Sequence, residues 1–278
     1  MLAPARSGLL PGAARLGVDL VAGSSTVTTC AAHSPARLLT PIHRGRAAWC
    51  YLTSFGGGLV AGDHLDVHAA IGAGATAYLS TQASTKVYRS DDAVAQADLT
   101  ATVASDAVLV NLPAHVTCFR GASFHAVNHY QLEPGASLIA LDWYSAGRSA
   151  YDVDEEWAFR AFATRSRVRI GDQVMVDDAV ELVNQSGLPS VQTRMANLRA
   201  WATVIVCGPR VAAVSEALLA GVAAPLSDGM VRESVSPVGD GCLWRLAGPA
   251  VEPVQQLLRQ RLAGVSALIG DDPWKRTW

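Results

Sequence analysis

Period-two alternation is the feature that most constrains this chain. Over about the first 200 residues, short apolar stretches recur at roughly 8–12-residue spacing, broken by Gly, Pro and Asp, a pattern that strands satisfy and helices do not. Val18, Leu20 and Ala22 alternate with small or polar neighbours, and a Thr-rich run follows from Val27 to Cys30. Ala47 to Leu52 reads as a buried strand. Leu65, Val67, Ala69 and Ile71 alternate, Gly72 and Gly74 turn the chain, and Ala75, Ala77 and Leu79 resume, which predicts a hairpin. Ala97 to Val103, Ala107 to Val110, His125 to Leu132 and Leu138 to Leu141 continue the series. Further short strands fit Trp157 to Phe162, Val168 to Ile170, Val174 to Val176 and Val180 to Val183, with Gly171-Asp172 and Asp177-Asp178 as turns. The expected fold is mainly β: elongated stacked or rolled antiparallel sheets, β-helix-like, with two late α-helices.

Those helices are Pro209 to Val222, with proline at its start, and Pro249 to Ile269. In the second, Val251, Val254, Leu258, Leu262, Val265 and Ile269 recur at helical spacing and Gly270 closes the run. Cys242 to Leu246 reads as a strand between them. No linker divides the chain, so the expectation is one domain over 17–270 between an N-terminal tail (1–16) and a C-terminal tail (271–278). The tail tryptophans Trp274 and Trp278 are expected to pack back.

Half of the residues are apolar, 17% are charged, and the net charge is -2, which argues against nucleic acid or an anionic membrane as the main partner. No apolar run reaches the ~20 residues of a membrane span. The five cysteines are widely separated and none has C-x-x-C spacing, which suggests reduced thiols in a cytoplasmic protein.

Gly56-Gly57-Gly58-Leu59-Val60-Ala61 satisfies the dinucleotide pattern G-x-G-x-x-[GA]. That pattern binds pyrophosphate only where a helix follows, and here a strand follows. A Gly-Lys-Ser/Thr P-loop ending and a G-x-S-x-G elbow are both missing from the sequence. His64, Asp66 and His68 share a strand face, so imidazole and carboxylate could meet a nickel or zinc ion there, and a metal-dependent hydrolase is the alternative function. A hydrolase would also need a further ligand and an open position, neither of which the sequence supplies. Asp142, Asp152, Asp154, Glu155 and Glu156 cluster between strands as a solvated turn, a partner-facing acidic edge or a weak cation path. From Thr81 to Ser90, Gln82, Ser84, Lys86 and Tyr88 share one parity and Thr81, Thr85 and Arg89 the other. If extended, this is a polar edge strand or a recognition strip anchored by Tyr and Arg.

Gly-Gly-Gly-Leu-Val-Ala-Gly-Asp at 56–63 and Thr-Gln-Ala-Ser-Thr-Lys-Val-Tyr-Arg-Ser at 81–90 closely resemble the urease accessory protein D (also called H) family. The likeness extends through Leu112-Pro113, Leu132 to Ala136, Gly147-Arg148, Glu155, Trp157 and Phe159. It implies a non-enzymatic nickel-insertion chaperone with a β-rich fold. Such a protein would bridge apo-urease to accessory protein F, through which the GTPase G docks, and would offer a water-filled passage for nickel. Nickel is then cargo in transit, with no tightly bound cofactor implied. Carried onto this chain, the partner-binding or nickel-path residues are Gly57, Gly58, Asp63, Thr81, Gln82, Lys86, Tyr88, Arg89, Asp142 and Glu155. The chain departs from the family at Asn111-Leu112-Pro113-Ala114-His115, where Trp-Leu-Pro and an acid are usual. His115 joins His64, Asp66 and His68 as a candidate metal contact. Two extra residues also separate Gly147-Arg148 from Glu155.

Overall fold

The computed structural model describes residues 8–41, 45–148, 151–222 and 231–275. In chain order the strands begin with β1 (Ala13–Val21), β2 (Ser24–Ala32), β3 (Ala36–Leu39), β4 (Ala48–Ser54), β5 (His64–Ile71) and β6 (Thr76–Thr81). They continue with β7 (Thr85–Val87), β8 (Ala95–Val103), β9 (Val108–Asn111), β10 (Val116–Cys118), β11 (Ser123–Leu132) and β12 (Ser137–Ser145). The rest are β13 (Ala161–Ile170), β14 (Gln173–Val183), β15 (Ala200–Cys207), β16 (Arg232–Val238) and β17 (Gly241–Gly248). Four helices come late: α1 (Val191–Met195), α2 (Ala212–Val222), α3 (Val251–Arg261) and α4 (Val265–Ile269).

The chain winds between two sheets. One has seven strands in the order β14-β13-β11-β8-β5-β1-β2, and the other has ten, with the path β16-β17-β15-β12-β9-β6-β4-β3 and the short β7 and β10 beside it. Successive long strands from β4 to β12 alternate between sheets, and each pairs parallel with the strand one coil away. Antiparallel pairs are confined to the flanks, as in β1 with β2, β13 with β14, and β15 with β12 and β17. The β-helix-like, mainly β expectation therefore holds, while the predicted hairpin does not form. β5 pairs with β1 and β8, and β6 pairs with β4 and β9. The turn at 72–74 carries the chain across to the other sheet instead of back along the same one. Alternation fixes which face is buried but not which neighbour a strand takes.

Two other expected breaks are absent. The predicted pieces before and after Asp177-Asp178 form one strand, β14, and the pieces at 161–170 form β13. The acids stay in the strand because arginines satisfy them: Asp177 binds Arg165 and Arg167 on one face, and Asp178 binds Arg245 on the other.

A first core fills the space between the sheets, from Leu16 and Val67 to Phe162, Ile205 and Leu243. A second lies between the outer face of the ten-stranded sheet and the helices, where Trp49, Tyr78, Val204 and Trp244 meet Leu218, Leu258 and Ile269. The long C-terminal helix of the sequence breaks at Leu262, giving α3 and α4, and ends at Gly270 in the left-handed conformation. Trp274 packs back onto this second core, and the Tyr78 hydroxyl donates to the Pro273 carbonyl at 2.9 Å. Trp278 lies outside the described residues. All five cysteines are free, four of them buried. No helix is long and apolar enough to cross a membrane among the described residues.

Candidate functional site

Because the strands coil in one sense, all connections from the ten-stranded to the seven-stranded sheet fall at one end. These are the segments after β4, β6, β9 and β12, and they carry nearly every motif singled out in the sequence. The glycine loop follows β4 as a single 3₁₀ turn, Phe55–Gly57, with Gly57 at φ 73°. The next residues dock on β7: Leu59 N donates to Lys86 O at 2.8 Å, and Tyr88 N donates to Leu59 O at 2.9 Å. Gly58 is required by that approach, since a β-carbon there would sit 2.5 Å from Lys86 O. Asp63 closes the loop by accepting from Val60 N at 2.9 Å, and β5 follows, so no helix N-terminus is present to hold a phosphate.

The block 81–90 is not one extended strip. It divides into the end of β6, a bend at 82–83, β7 and an irregular segment from 88 to 90. Thr81 Oγ1 accepts from Ala114 N at 2.8 Å, tying this loop to the next. Gln82 and Lys86 are exposed, while the Tyr88 ring stands edge-on to Phe119 with centroids 5.3 Å apart. Arg89 pairs with Asp91 at the surface. The Arg148 guanidinium then lies over two rings, 4.3 Å from the centroid of Phe119 and 4.9 Å from that of Tyr151. Glu155 is buried beneath and bonds Arg148 Nη2 at 2.8 Å and the Arg120 amide at 3.2 Å. The Arg148 hydrogen bond holds the Glu155 carboxyl below the usual glutamate range, overcoming the opposing effect of burial. Gly147 takes a positive φ of 107° in this loop, and a β-carbon there would strike the Glu155 carbonyl at 2.4 Å.

Between the sheets, behind these loops, lies a cavity of about 120 Å³. A smaller one of about 60 Å³, bounded by Gly57, Gly58 and Ser84, shares Leu52, Thr81 and Thr85 with it and opens toward the loops. The inner cavity is mostly apolar, but Asn111, Asn128 and Asp142 project onto it. Asp142 accepts from Asn128 Nδ2 at 2.9 Å and from the Ser166 hydroxyl. The surface it retains borders the cavity. Loss of hydration pushes its carboxyl up to about 6, with the Asp178 charge adding to the rise and the Ser166 and Asn128 hydrogen bonds opposing it. Asn111, where the resembled family has tryptophan, donates to the Tyr130 hydroxyl at 2.9 Å, a polar bridge between the two sheets.

The histidine candidates are not gathered. His64 pairs with Asp98 at 2.8 Å and His68 with Asp66 at 3.0 Å on the outer face of the seven-stranded sheet. His115 stands edge-on to Trp143, 4.9 Å away. No three His, Cys, Asp or Glu groups converge to hold a metal ion among the described residues. Asn128 and Ser166 escaped the sequence reading. Their signal was a polar residue at the apolar parity of a strand, Asn128 between Ala126 and Tyr130, and Ser166 between Thr164 and Val168.

Comparison with known proteins follows the same lines. Residues 11–278 match the model of the UreD urease accessory protein family. The protein named urease accessory protein UreD from Anaeromyxobacter sp. (strain Fw109-5) is 44% identical over 272 residues, covering 97% of this chain and 91% of the relative. Its namesake from Sorangium cellulosum (strain So ce56) is 42% identical, covering 96% and 84%. Urease accessory protein D from Oryza sativa subsp. indica is 31% identical, covering 92% and 93%. The chain belongs to the UreD family of urease accessory proteins.

Proposed function

We propose that this protein matures urease in the cytoplasm, acting as a scaffold that joins apo-urease to accessory protein F, and through F to the GTPase G, while nickel passes to the urease site. Family membership supports the role in maturation. The transit reading is carried by one observation: a small cavity beside Gly58 shares Leu52, Thr81 and Thr85 with the inner cavity onto which the Asp142 carboxylate projects. A carboxylate flanked by an amide and a hydroxyl supplies oxygen donors that a hydrated divalent cation can visit without being trapped. Chelation by several fixed ligands would defeat delivery. The loop end, with Lys86, Tyr88 and the Phe119-Arg148-Tyr151 stack, offers exposed cation and aromatic groups of the kind that anchor interfaces. The hydrolase alternative needs His64, Asp66 and His68 to meet at one point, whereas the two imidazoles bind different carboxylates.

The test is to co-express urease subunits and the remaining accessory proteins with and without this chain, and to measure urease activity and nickel per urease. Both should fall in its absence. Unchanged values would refute the role.

A further inference from the structure

The ten-stranded sheet reaches further sideways than the seven-stranded one, and its overhang is basic. β14 closes one sheet and β16 the other, each paired on a single side. Arg245 of β17 donates to Asp178 of β14 across the sandwich at 2.6 Å, so the seven-stranded sheet ends over β17, with no strand of the described residues beyond it. A cleft of about 340 Å³ opens there, lined by Val180 of β14 and by Thr203, Arg232, Ser234 and Arg245. Arg245 is in register with Thr203 on one neighbouring strand and Ser234 on the other, and Arg232 shares the parity of Ser234 on β16. That parity is inward, because Ile205 and Leu243, two residues from Thr203 and Arg245, belong to the inter-sheet core. Glu233, of the opposite parity, binds Trp244 and Arg261 on the helix side and takes its charge away from the cleft. Arg232 is exposed and makes no ion pair among the described residues, while Arg245 gives one amino group to Asp178. Two guanidinium groups against one carboxylate leave a positive charge uncompensated. A single carboxylate matches that charge and the fork geometry of arginine, and the hydroxyls of Thr203 and Ser234 add donors beside it.

Of the two free edges flanking the cleft, β14 is the one fit to pair. β16 carries Pro237, which has no amide proton to donate, whereas β14 runs from Gln173 to Val183 without proline or glycine. Charges commonly protect such an edge, but Asp177 and Asp178 are neutralised by arginines of neighbouring strands. A strand added beside β14 would lie over β17 and β16 at the ordinary sheet separation of ~10 Å and turn every second side chain toward the arginines. We infer that this cleft docks an extended acidic segment of a partner protein, which joins the seven-stranded sheet beside β14 and sets a carboxylate between Arg232 and Arg245. The inference rests on the scaffold reading, since a protein that joins two others needs two surfaces. The loop end offers one, and β16, three strands beyond β12, puts the cleft to its side. A compact anion would use the arginines and leave the strand edge idle.

The test is fluorescence anisotropy with the full chain and a labelled peptide, Thr-Val-Thr-Glu-Thr-Val-Thr, which when extended turns its glutamate and valines to one face. Arg232→Gln should weaken binding about tenfold, and so should glutamine in place of the peptide glutamate. The two changes together should cost no more than either alone, because each removes the same contact. N-methylating alternate peptide residues should abolish binding for one parity and spare it for the other, since only one edge of the peptide meets β14. Equal effects of the two methylated sets would overturn the added strand, as would displacement of the peptide by an equal concentration of inorganic phosphate. No binding, or no loss with Arg232→Gln, would overturn the inference outright. In the co-expression system, Arg232→Glu, at an exposed position, should keep the chain's melting temperature while a partner is lost from the purified complex. Retention of every partner overturns the docking surface alone, whereas urease that matures without the chain overturns the scaffold reading itself.

Discussion

A β-carbon on Gly58 would lie 2.6 Å from Cε2 of Tyr88, and the same contact zone includes the Lys86 carbonyl that receives the Leu59 amide. The glycine loop and β7 are therefore one unit, held by backbone hydrogen bonds that leave no room for a side chain. Gly58→Ala should separate them and destabilise the fold by about 1–3 kcal/mol, the usual range for overpacking. Chemical denaturation would measure this. A cost below about 0.5 kcal/mol would show that the loop docks loosely enough to yield.

Lys86 and Tyr88 sit two residues apart and should behave differently. Lys86 is exposed, so Lys86→Ala should change stability by less than about 0.5 kcal/mol while weakening co-purification with urease or its accessory proteins. Tyr88 is half-buried against Phe119, and Tyr88→Ala should lower the melting temperature as well as assembly. Full assembly by the Lys86 variant would remove this face from the interface.

Glu155 gives the loop after β12 a pH dependence. Its carboxyl titrates below the usual glutamate range because Arg148 hydrogen-bonds the charged form. The stabilisation is fully present above that usual range and is lost as pH falls through the depressed value. Glu155→Gln should lower the melting temperature at neutral pH and flatten its acid limb. Parallel melting curves from neutral to acid pH for the two proteins would show that the ion pair contributes nothing to folding.

Much of this architecture can be read from the residues. Alternation at Leu65 to Ile71 and Ala97 to Val103 identifies strands and their buried faces, because period two is a local property of the backbone. Pairing is not local. The turn at 72–74 is compatible with a hairpin and with a step between sheets, and only the packing of the whole coil decides. The same limit hid the place of the β14 acids. Asp177-Asp178 reads as a turn until Arg165, Arg167 and Arg245, remote in sequence, arrive to bind it. Motif residues were found readily, since glycines and acids in loops stand out. The interior ones, Asn128 and Ser166, were visible only as faults in an apolar pattern.

Asp142 carries the prediction that most directly separates stability from function. Burial raises its carboxyl to about 6, so between the usual aspartate range and that value the folded chain holds a proton that the unfolded chain has released. Stability therefore falls as pH rises through this window and stays at its lower level beyond it. Asp142→Asn removes the charge and keeps the shape, and should stabilise the protein at neutral pH by on the order of 1–3 kcal/mol, with the advantage shrinking as pH falls to about 5. Denaturant titrations at the two pH values would measure it. The same variant should leave urease poorly loaded with nickel, because the oxygen donor at the inner end of the cavity has lost its charge. A variant that is less stable at neutral pH, or that loads urease fully, would show Asp142 to be a structural carboxylate, held for its hydrogen bonds to Asn128 and Ser166 and not for a passing cation.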